Sequence, residues 1–350
     1  MEISNLVRPT ILNMKPYSSA RDEYKGNNAI FLDANENPYN HNVNRYPDPH
    51  QLDLKKRIGE LKMVNPENIF LGNGSDEAID LVFRIFCEPA IDNVITIHPT
   101  YGMYKVAAET NNIAVKEISL KDNFELDDKL VLEAVDDKTK VIFICSPNNP
   151  TGNLLDKKKV LNIIERSQCI VIVDEAYIDF SNDDGWLPLL NKYENLIVLQ
   201  TFSKAWGMAG IRLGMAFASK FIISLFDKIK YPYNLGILTQ RFALRKLKSS
   251  NRKERWVAKI LENRTVLIHK LQLLKLFDQI YPTDSNFFLV KLKDPNDLFV
   301  YLTNYKVIVR DRSNVHLCGG CLRITVGSRR ENRELLKAIK LYMKNKVNVF

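Results

Sequence analysis

The sequence predicts an α/β protein: a large domain with a mostly parallel central sheet flanked by helices, followed by a smaller C-terminal α/β domain. Four short apolar runs alternate with helical stretches between residues 93 and 218. The runs are continuous rather than alternating in apolar character, which is typical of strands covered on both faces. Polar or glycine-rich residues follow each run at once. In such sheets ligands bind at the carboxyl ends of the strands, so the sequence predicts one site where four loops meet.

The strands are predicted at residues 94–97, 141–145, 170–173 and 196–199. Because parallel strands end at the same edge of a sheet, the loop side chains that follow them are expected to lie together. In chain order these side chains are Tyr101, Asn149, Asp174, Tyr177, Ser203 and Lys204.

The region before the sheet is irregular at first. Residues 1–28 are polar and carry Pro9 and Pro16, which interrupt regular structure. A short strand is predicted at Phe31–Leu32, and an amphipathic helix around residues 52–61.

A strand, a glycine turn and a helix start together predict an anion site. Residues 69–71 form a short apolar run, and a helical stripe of apolar residues follows Gly74. Ser75 is the expected N-cap of that helix, and Asp76 occupies its first turn. Backbone N–H groups at a helix start have no intrahelical partner and therefore attract anions.

The character of the chain changes after residue 234. A helix-rich stretch is predicted at 238–276, followed by strands at 287–290, 307–310 and 321–325 and a closing helix at 332–345. We therefore divide the chain into three parts. These are an N-terminal arm packing on the small domain (1–39), a large domain that contains the predicted site (40–245) and a small C-terminal domain (246–350).

Composition excludes several classes of function. The chain has 350 residues, 50 Lys and Arg against 41 Asp and Glu, and a net charge of +9. The basic residues are scattered, without zinc-finger spacing or an arginine-rich run, so no nucleic-acid partner is expected. No apolar run approaches the roughly 20 residues of a membrane span, and the N-terminus lacks the apolar core of a signal peptide. A cytoplasmic location is expected, and the positive charge suits phosphorylated or carboxylate substrates.

Five cysteines, an odd number in a large chain, indicate a reducing compartment. Cys318 and Cys321 have the spacing of a metal or redox pair. A zinc site would need further ligands, and only His316 is near. A redox pair would normally open a helix, whereas this pair leads into a predicted strand. We expect a glycine turn with incidental thiols, and no metal site.

Lys204 is the residue around which the loops are organised. It follows a buried strand, with Ser203 beside it and Arg212 shortly after. An amine in a partly desolvated pocket loses its proton more easily and becomes a nucleophile. Alone, Lys204 would be one lysine among many. Asp174 strengthens the case, because a bare carboxylate at the end of a buried strand is costly without a partner.

Together these loops resemble the active site of the fold-type I pyridoxal-phosphate enzymes, the superfamily of aspartate aminotransferase. The resemblance implies that Lys204 holds pyridoxal phosphate as a Schiff base and later moves the substrate's Cα proton. It implies that Asp174 pairs with the ring nitrogen, that Tyr177 and Asn149 donate to the ring oxygen, and that Tyr101 stacks on the ring. The cofactor phosphate would be bound by Ser75, the N–H of Asp76, Ser203 and Arg212.

Further motifs are spread from about residue 10 to residue 340. They are Asp33 through Pro38, Arg45 through Asp48, Pro99 through Tyr104, Ser146 through Gly152, Asp174 through Tyr177, Ser203 through Ala205 and Leu322 through Gly327. These motifs are similar to those of the histidinol-phosphate aminotransferase family. The resemblance implies a homodimer with two shared active sites. It also implies amino transfer between L-histidinol phosphate and 2-oxoglutarate, giving imidazole-acetol phosphate and L-glutamate in histidine biosynthesis.

The same resemblance suggests substrate contacts. Arg323 matches an arginine for the substrate's anion, and its planar fork suits either a carboxylate or a phosphate. Arg310 matches a second phosphate contact, and Tyr17 a tyrosine on the substrate side. Asn35 is a further candidate near the imidazole ring. Tyr46 matches a tyrosine that reaches the neighbouring subunit's cofactor phosphate.

Three alternatives stay open at this level. Two are enzymes of the same superfamily: an aromatic or broad-specificity aminotransferase, and a threonine-phosphate decarboxylase, which also needs arginines for a phosphate. The third is a regulator that carries an inactive aminotransferase domain. A regulator would need a DNA-binding module, and the residues before Asp33 are too few and too broken by proline to form one.

Overall fold

The computed structural model describes residues 2–18 and 29–347. Its large domain is built on seven strands: β1 (Ile69–Asn73), β2 (Asn93–His98), β3 (Ala114–Ser119), β4 (Thr139–Cys145), β5 (Ile170–Asp174), β6 (Leu196–Thr201) and β7 (Leu213–Phe217). They lie in the order β1-β7-β6-β5-β4-β2-β3. Every pair from β3 to β6 is parallel, whereas β7 is antiparallel to both β6 and β1. The predicted mostly parallel sheet is confirmed.

The central strands are apolar at successive positions because each face of the sheet carries its own core. In β4, Ile142 and Ile144 belong to one hydrophobic cluster, and Val141 and Phe143 belong to the other. Side chains alternate between faces along a strand, so both alternating sets have to be apolar.

Helices cover both faces of this sheet. They are α1 (Pro9–Asn13), α2 (Leu52–Lys62), α3 (Ser75–Phe86), α4 (Met103–Thr110), α5 (Asp128–Glu133), α6 (Lys157–Arg166), α7 (Lys220–Ile229) and α8 (Ile237–Leu247). Single turns of 3₁₀ helix lie at Ile3–Leu6, Pro66–Asn68, Ile178–Phe180, Leu187–Leu189 and Ala209–Ile211. No helix within the described residues combines the length and the apolar character that a membrane span requires.

The small domain has a separate antiparallel sheet and core. Its elements are α9 (Ser250–Leu273), β8 (Gln279–Ile280), β9 (Phe287–Lys291), α10 (Pro295–Asn304), β10 (Arg310–Asp311), β11 (Cys321–Thr325) and α11 (Arg329–Val347). The strand order is β10-β11-β9-β8. In α11, Leu335, Ala338, Ile339 and Tyr342 face this core at the spacing of one helix face. Each large apolar side chain buried there contributes about 1.5–3 kcal/mol. We propose that the boundary with the large domain lies near residue 245, at the end of α8.

Two predictions for strands differ from the structure. Phe31–Leu32 is not a strand; it lies in an irregular segment where Leu32 is 87% exposed, and no strand in the described part of the chain pairs with it. The strand predicted at 307–310 is reduced to Arg310–Asp311. Val307 donates its N–H to the carbonyl of Leu302 and so closes α10 instead of joining the sheet.

Residues 3–12 of the N-terminal arm contact the large domain, whereas the arm was predicted to pack on the small domain. Ile3 and Val7 are buried in the core that also contains α3 and α7. Arg8 forms an ion pair with Glu88 at 2.9 Å. Apolar side chains at 3 and 7 lie one helical turn apart and find an apolar surface there. Arm residues 19–28 lie outside the described residues.

Candidate active site

The carboxyl ends of β4, β5 and β6 and the start of α3 surround a cavity of about 150 Å³, here called the inner cavity. It brings together all the predicted cofactor residues except Tyr46. They are Ser75, Asp76, Tyr101, Asn149, Asp174, Tyr177, Ser203, Lys204 and Arg212. A wider cavity of about 590 Å³, the outer cavity, shares Tyr101, Asn149, Tyr177 and Lys204 with it. Arg310 and Arg323 line the outer cavity, so the two cavities form one continuous site.

Asp174 is the last residue of β5 and is 3% exposed. The hydroxyl of Tyr104 donates to its Oδ2 at 2.8 Å, and the backbone N–H of Ala176 donates to its Oδ1 at 3.0 Å. Burial raises the pKa of Asp174 to about 6, although both hydrogen bonds lower it. A carboxylate in this environment is stabilised further by a protonated nitrogen placed in the cavity.

Lys204 lies across the same cavity, with Nζ 5.5 Å from the centre of the Tyr177 ring. Burial lowers the pKa of Lys204, and the positive charge of Arg323 lowers it further, whereas Asp174 acts in the opposite direction. A lowered pKa makes the neutral, nucleophilic amine more available near neutral pH.

The anion-binding end of the inner cavity is the start of α3. The helix begins at Ser75 and its N-cap is Gly74, so the prediction of Ser75 as the N-cap is wrong by one residue. Gly74 adopts φ 76°, a conformation that suits glycine because a side chain there is strained. Its N–H donates to the carbonyl of Arg212 at 3.1 Å, which ties the turn to the strand β7.

Glycines bring the backbone close at this turn. A Cβ atom at Gly214 would lie 2.1 Å from the backbone nitrogen of Ser75. One at Gly74 would lie 2.6 Å from Nη2 of Arg212. These glycines leave room for the helix start and the guanidinium to line one small cradle, which suits a phosphate group.

Asp76 organises the side chains around this cradle. Its Oδ2 lies 3.6 Å from Nη2 of Arg212, and its Oδ1 accepts a hydrogen bond from Tyr101 at 3.1 Å. Ser203 completes the cradle: its N–H donates to Thr201 at 3.1 Å, which fixes the turn just before Lys204. The side chains of the cradle therefore come from four separate segments of the chain.

Tyr177 and Asn149 lie where the inner and outer cavities meet. The amide of Asn149 donates to the hydroxyl of Tyr177 at 3.5 Å, and its Oδ1 accepts from Nη1 of Arg323. The Tyr177 ring meets Phe287 edge-on at 5.0 Å. Burial raises the pKa of Tyr177 above its ordinary value, so this phenol stays a hydrogen-bond donor.

Tyr104 was missed by the sequence reasoning, which assigned it no role. It is fully buried, stacks on Phe143 at 4.8 Å and meets Tyr101 edge-on at 5.6 Å. A signal existed: Tyr104 follows Tyr101 by three residues, which places the two rings on one side of a helix start.

Three predicted residues lie outside both cavities of the single chain. Tyr17 is 71% exposed, and Asn35 is also exposed. Tyr46 is 50% exposed and stacks on Tyr233 with ring centres 4.4 Å apart. All three belong to irregular segments. Within one chain, these three side chains do not line the inner or the outer cavity.

The Cys318–Cys321 pair lies in a turn before β11 rather than at a helix start. Both thiols are fully buried, and burial raises the pKa of Cys318 to about 12. Such thiols are poor nucleophiles. In residues 2–18 and 29–347, no group of three or more His, Cys, Asp or Glu side chains is placed to hold a metal ion.

A protein-family model described as "Aminotransferase class I and II" matches residues 23–339. The chain belongs to the class I and II aminotransferase family. A histidinol-phosphate aminotransferase from Bacteroides thetaiotaomicron is 53% identical to this aminotransferase over 341 residues, which is 97% of this chain and 99% of the relative. The predicted resemblance, and with it the class of enzyme, is confirmed.

Solved structures agree with this aminotransferase family. The histidinol-phosphate aminotransferase from Clostridium acetobutylicum superimposes with a TM-score of 0.80 at 25% identity, covering 87% of this chain and 92% of that one. The enzyme from Sinorhizobium meliloti, in complex with pyridoxal-5'-phosphate, has a TM-score of 0.78 at 22% identity and covers 86% and 83%. The predicted aminotransferase fold, with a large and a smaller domain, is confirmed.

Proposed function

We propose that this aminotransferase transfers the amino group of L-histidinol phosphate to 2-oxoglutarate, giving imidazole-acetol phosphate and L-glutamate in histidine biosynthesis. The observation that carries the proposal is the position of Arg310 and Arg323. Both line the outer cavity, which shares Lys204 with the inner cavity. A substrate whose amine meets Lys204 would therefore have its anionic end among arginines. The 53% identity to a histidinol-phosphate aminotransferase supports the same reaction.

The inner cavity fits pyridoxal phosphate as the cofactor. Among the described residues, no cation lies within hydrogen-bond distance of its buried carboxylate, Asp174. The opposite end of the cavity is the glycine-lined cradle with Arg212 and the start of α3. A pyridinium N–H and a phosphate are the groups that these two ends bind best. Bound there, pyridoxal phosphate supplies an electron sink for the carbanion formed at the substrate's Cα.

The surrounding residues have separate roles in this proposal. Asp174 keeps the ring nitrogen protonated through an ion pair. Tyr177 and Asn149 donate hydrogen bonds to the ring oxygen, and Tyr101 packs on the ring face. Tyr104 is a positioning residue that orients Asp174. Ser75, the N–H of Asp76, Ser203 and Arg212 hold the phosphate.

Lys204 has two roles. Its Nζ would hold pyridoxal phosphate covalently until a substrate binds. The freed amine removes the proton from the substrate's Cα as a general base. Burial and Arg323 lower the pKa of Lys204, so a larger fraction of the freed amine is neutral than for an ordinary lysine.

Arg323 serves the anion of both substrates. Its guanidinium is held by Asn149 and lies over the Phe287 ring at 5.1 Å, so its planar fork is fixed before the substrate arrives. One fork binds a carboxylate of 2-oxoglutarate or a phosphate of histidinol phosphate equally well.

We also propose a homodimer with shared active sites. Large apolar side chains are exposed in two neighbouring segments: Ile30 (89%), Leu32 (87%), Tyr39 (74%), Tyr231 (77%) and Leu238 (67%). Exposed apolar patches of this kind are typical of subunit interfaces. Tyr46 connects the two segments, because its N–H donates to Glu36 of the first and its ring stacks on Tyr233 of the second. In the dimer, Tyr46 would reach the partner's cofactor phosphate, and Tyr17 and Asn35 would lie near a substrate.

A substrate panel tests the proposal. Purified protein with added pyridoxal phosphate is given L-histidinol phosphate, phenylalanine or threonine phosphate, each with 2-oxoglutarate. We expect histidinol phosphate to give the highest kcat/KM, with one glutamate formed per donor consumed. Faster transfer from phenylalanine would indicate an aromatic aminotransferase, and release of CO₂ from threonine phosphate would indicate a decarboxylase. Either result would replace the proposed function.

A further inference from the structure

Arg310 and Arg323 lie directly opposite each other in the β10–β11 ladder. Like charges in directly opposite positions destabilise a sheet. Arg312 follows Arg310 by two residues, and its N–H continues the ladder by donating to the carbonyl of Cys321 at 2.9 Å. Side chains two positions apart point to the same face of a strand. Three arginines therefore lie on one face, and all three line the outer cavity.

Arg310 and Arg312 are not neutralised by the protein. Within the described residues, neither guanidinium has a side-chain hydrogen bond or an ion pair, and Nε of Arg312 is buried without an acceptor. Burial lowers the pKa of Arg312, and the charges of Arg323 and Arg310 lower it further. Repulsion among these three guanidinium groups does not stabilise the fold. We therefore expect an anion from outside the protein to bind between them and relieve it.

Two acidic residues, Glu109 and Glu117, line the outer cavity, and within the described residues neither forms an ion pair with the three arginines. Glu117 lies 3.4 Å from Lys105 and 3.6 Å from His98. Glu109 is exposed on the helix α4. Arg310, Arg312 and Arg323 together therefore carry more positive charge than one carboxylate can balance. A phosphate monoester carries a charge of about −1.5 to −2 and three terminal oxygens, which matches three guanidinium groups better than a carboxylate does.

We propose that Arg312 is a specificity-determining residue, which binds the substrate's phosphate together with Arg310 and Arg323 and favours a phosphate monoester over a carboxylate. This inference rests on the proposed function and deepens it. Arg323 alone provides the fork that a carboxylate needs, whereas the second and third arginines act on the phosphate. Removing Arg312 should therefore weaken the binding of one substrate much more than that of the other.

Steady-state kinetics of R312Q and R312K holoenzymes test this. We expect R312Q to raise the KM for histidinol phosphate by about 10- to 100-fold, because a hydrogen bond between charged groups is lost. The KM for 2-oxoglutarate should change less than about 3-fold, and kcat should change little, since the proposed role of Arg312 is to bind the phosphate and not to move the Cα proton. Inorganic phosphate, as a competitive inhibitor, should lose affinity in parallel. R312K keeps the charge without the fork and should recover part of the loss.

Lys105→Gln is the matched control. Lys105 is a cation lining the same cavity, but it is paired with Glu117. Its loss should leave both KM values within about 2-fold, because an exposed ion pair contributes little. Thermal melting and the bound cofactor's absorption show whether each variant is folded. If R312Q is not folded, the KM values of R312K provide the test.

Equal changes in both KM values, or no change in either, would overturn the role of Arg312. The proposed function fails separately. If the wild type prefers threonine phosphate and R312Q weakens that substrate and inorganic phosphate, the reaction is different but Arg312 still selects phosphate. If the wild type shows no preference for phosphorylated donors and no inhibition by phosphate, both proposals are wrong.

Discussion

Tyr104 donates a hydrogen bond of 2.8 Å to the carboxylate of Asp174 from a fully buried position on α4. The orientation of the carboxylate at the centre of the inner cavity is therefore set by a residue outside that cavity. The hydroxyl also favours the ionised form of Asp174 against the effect of burial, because it lowers the pKa of the carboxyl group.

Replacing Tyr104 by Phe removes this hydroxyl and keeps the ring. We expect kcat/KM to fall about 10-fold, the value of one hydrogen bond to a charged group. Loss of the donor raises the pKa of Asp174, so activity should be lost at a higher pH on the acidic side. The pH profile of kcat/KM measures this. Tyr342→Phe is the matched control, because it removes a 2.9 Å bond to Asp297 in the small domain. An unchanged acidic limb in Y104F would contradict the assignment.

Asp174 should also make the stability of the cofactor-free protein depend on pH. Its pKa is about 6 in the folded chain against an ordinary 3.8, so the folded state binds a proton that the unfolded state has lost. Stability should therefore fall as the pH rises from about 4 to about 6. Asp174→Asn lacks this titration and should gain up to about 3 kcal/mol relative to wild type over that window.

Urea unfolding of both proteins at pH 4.5 and pH 8 measures that difference. Added pyridoxal phosphate should stabilise the wild type and so reduce the difference in stability between the two proteins, because the ring nitrogen then pairs with the ionised carboxylate of Asp174. A constant difference between the two proteins at both pH values would show that Asp174 is not a strained, buried acid.

The phosphate cradle depends on close backbone approach at Gly214. A methyl group there would lie 2.1 Å from the nitrogen of Ser75, so Gly214→Ala must displace the start of α3. We expect the affinity for pyridoxal phosphate to fall at least about 10-fold, because a charge-assisted contact to the phosphate is lost. Equilibrium dialysis measures this. Gly210→Ala is the control, since a Cβ there meets no atom within 4 Å. If the two folded variants bound pyridoxal phosphate with equal affinity, the cradle would have no role in binding its phosphate.

The parallel part of the fold was predictable because its signal is local. Strands such as β4 and β5 are buried on both faces, and a continuous apolar run is visible in one stretch of sequence. Asp174 ends β5 and Asn149 lies in the loop after β4, and polar side chains like these are unusual next to a buried strand. Six predicted site residues, Tyr101, Asn149, Asp174, Tyr177, Ser203 and Lys204, could therefore be assigned to one edge of the sheet, and all six line the inner cavity.

Other features depend on contacts that no single stretch contains. The prediction of a strand at Phe31–Leu32 is wrong because an apolar sequence pattern does not show whether a partner strand exists. The role of Tyr104 depends on α4 lying against the end of β5. Arg312 shares a face with Arg323 only because the β10–β11 register places Arg310, two residues before Arg312, opposite Arg323. Pairing and register are long-range properties, which sequence patterns predict poorly.

Mixing inactive variants tests whether Tyr46 acts across subunits. Lys204→Ala and Tyr46→Ala homodimers should each be strongly impaired. If Tyr46 serves the neighbouring site, a mixed dimer contains one site with both native residues. Unfolding and refolding the two variants together should then restore roughly a quarter of wild-type activity, as half the dimers each gain one site. No recovery would place Tyr46 in its own subunit's site or outside both.

The most direct test of the whole account is the position of the cofactor's attachment. The holoenzyme is reduced with borohydride, which makes the bond to a lysine permanent, and the chain is digested and mapped by mass spectrometry. We expect one pyridoxyl group per chain, on the peptide that contains Lys204, and none on Lys204→Ala. Attachment to another lysine in the wild type, or the absence of any attachment, would contradict the central role of Lys204.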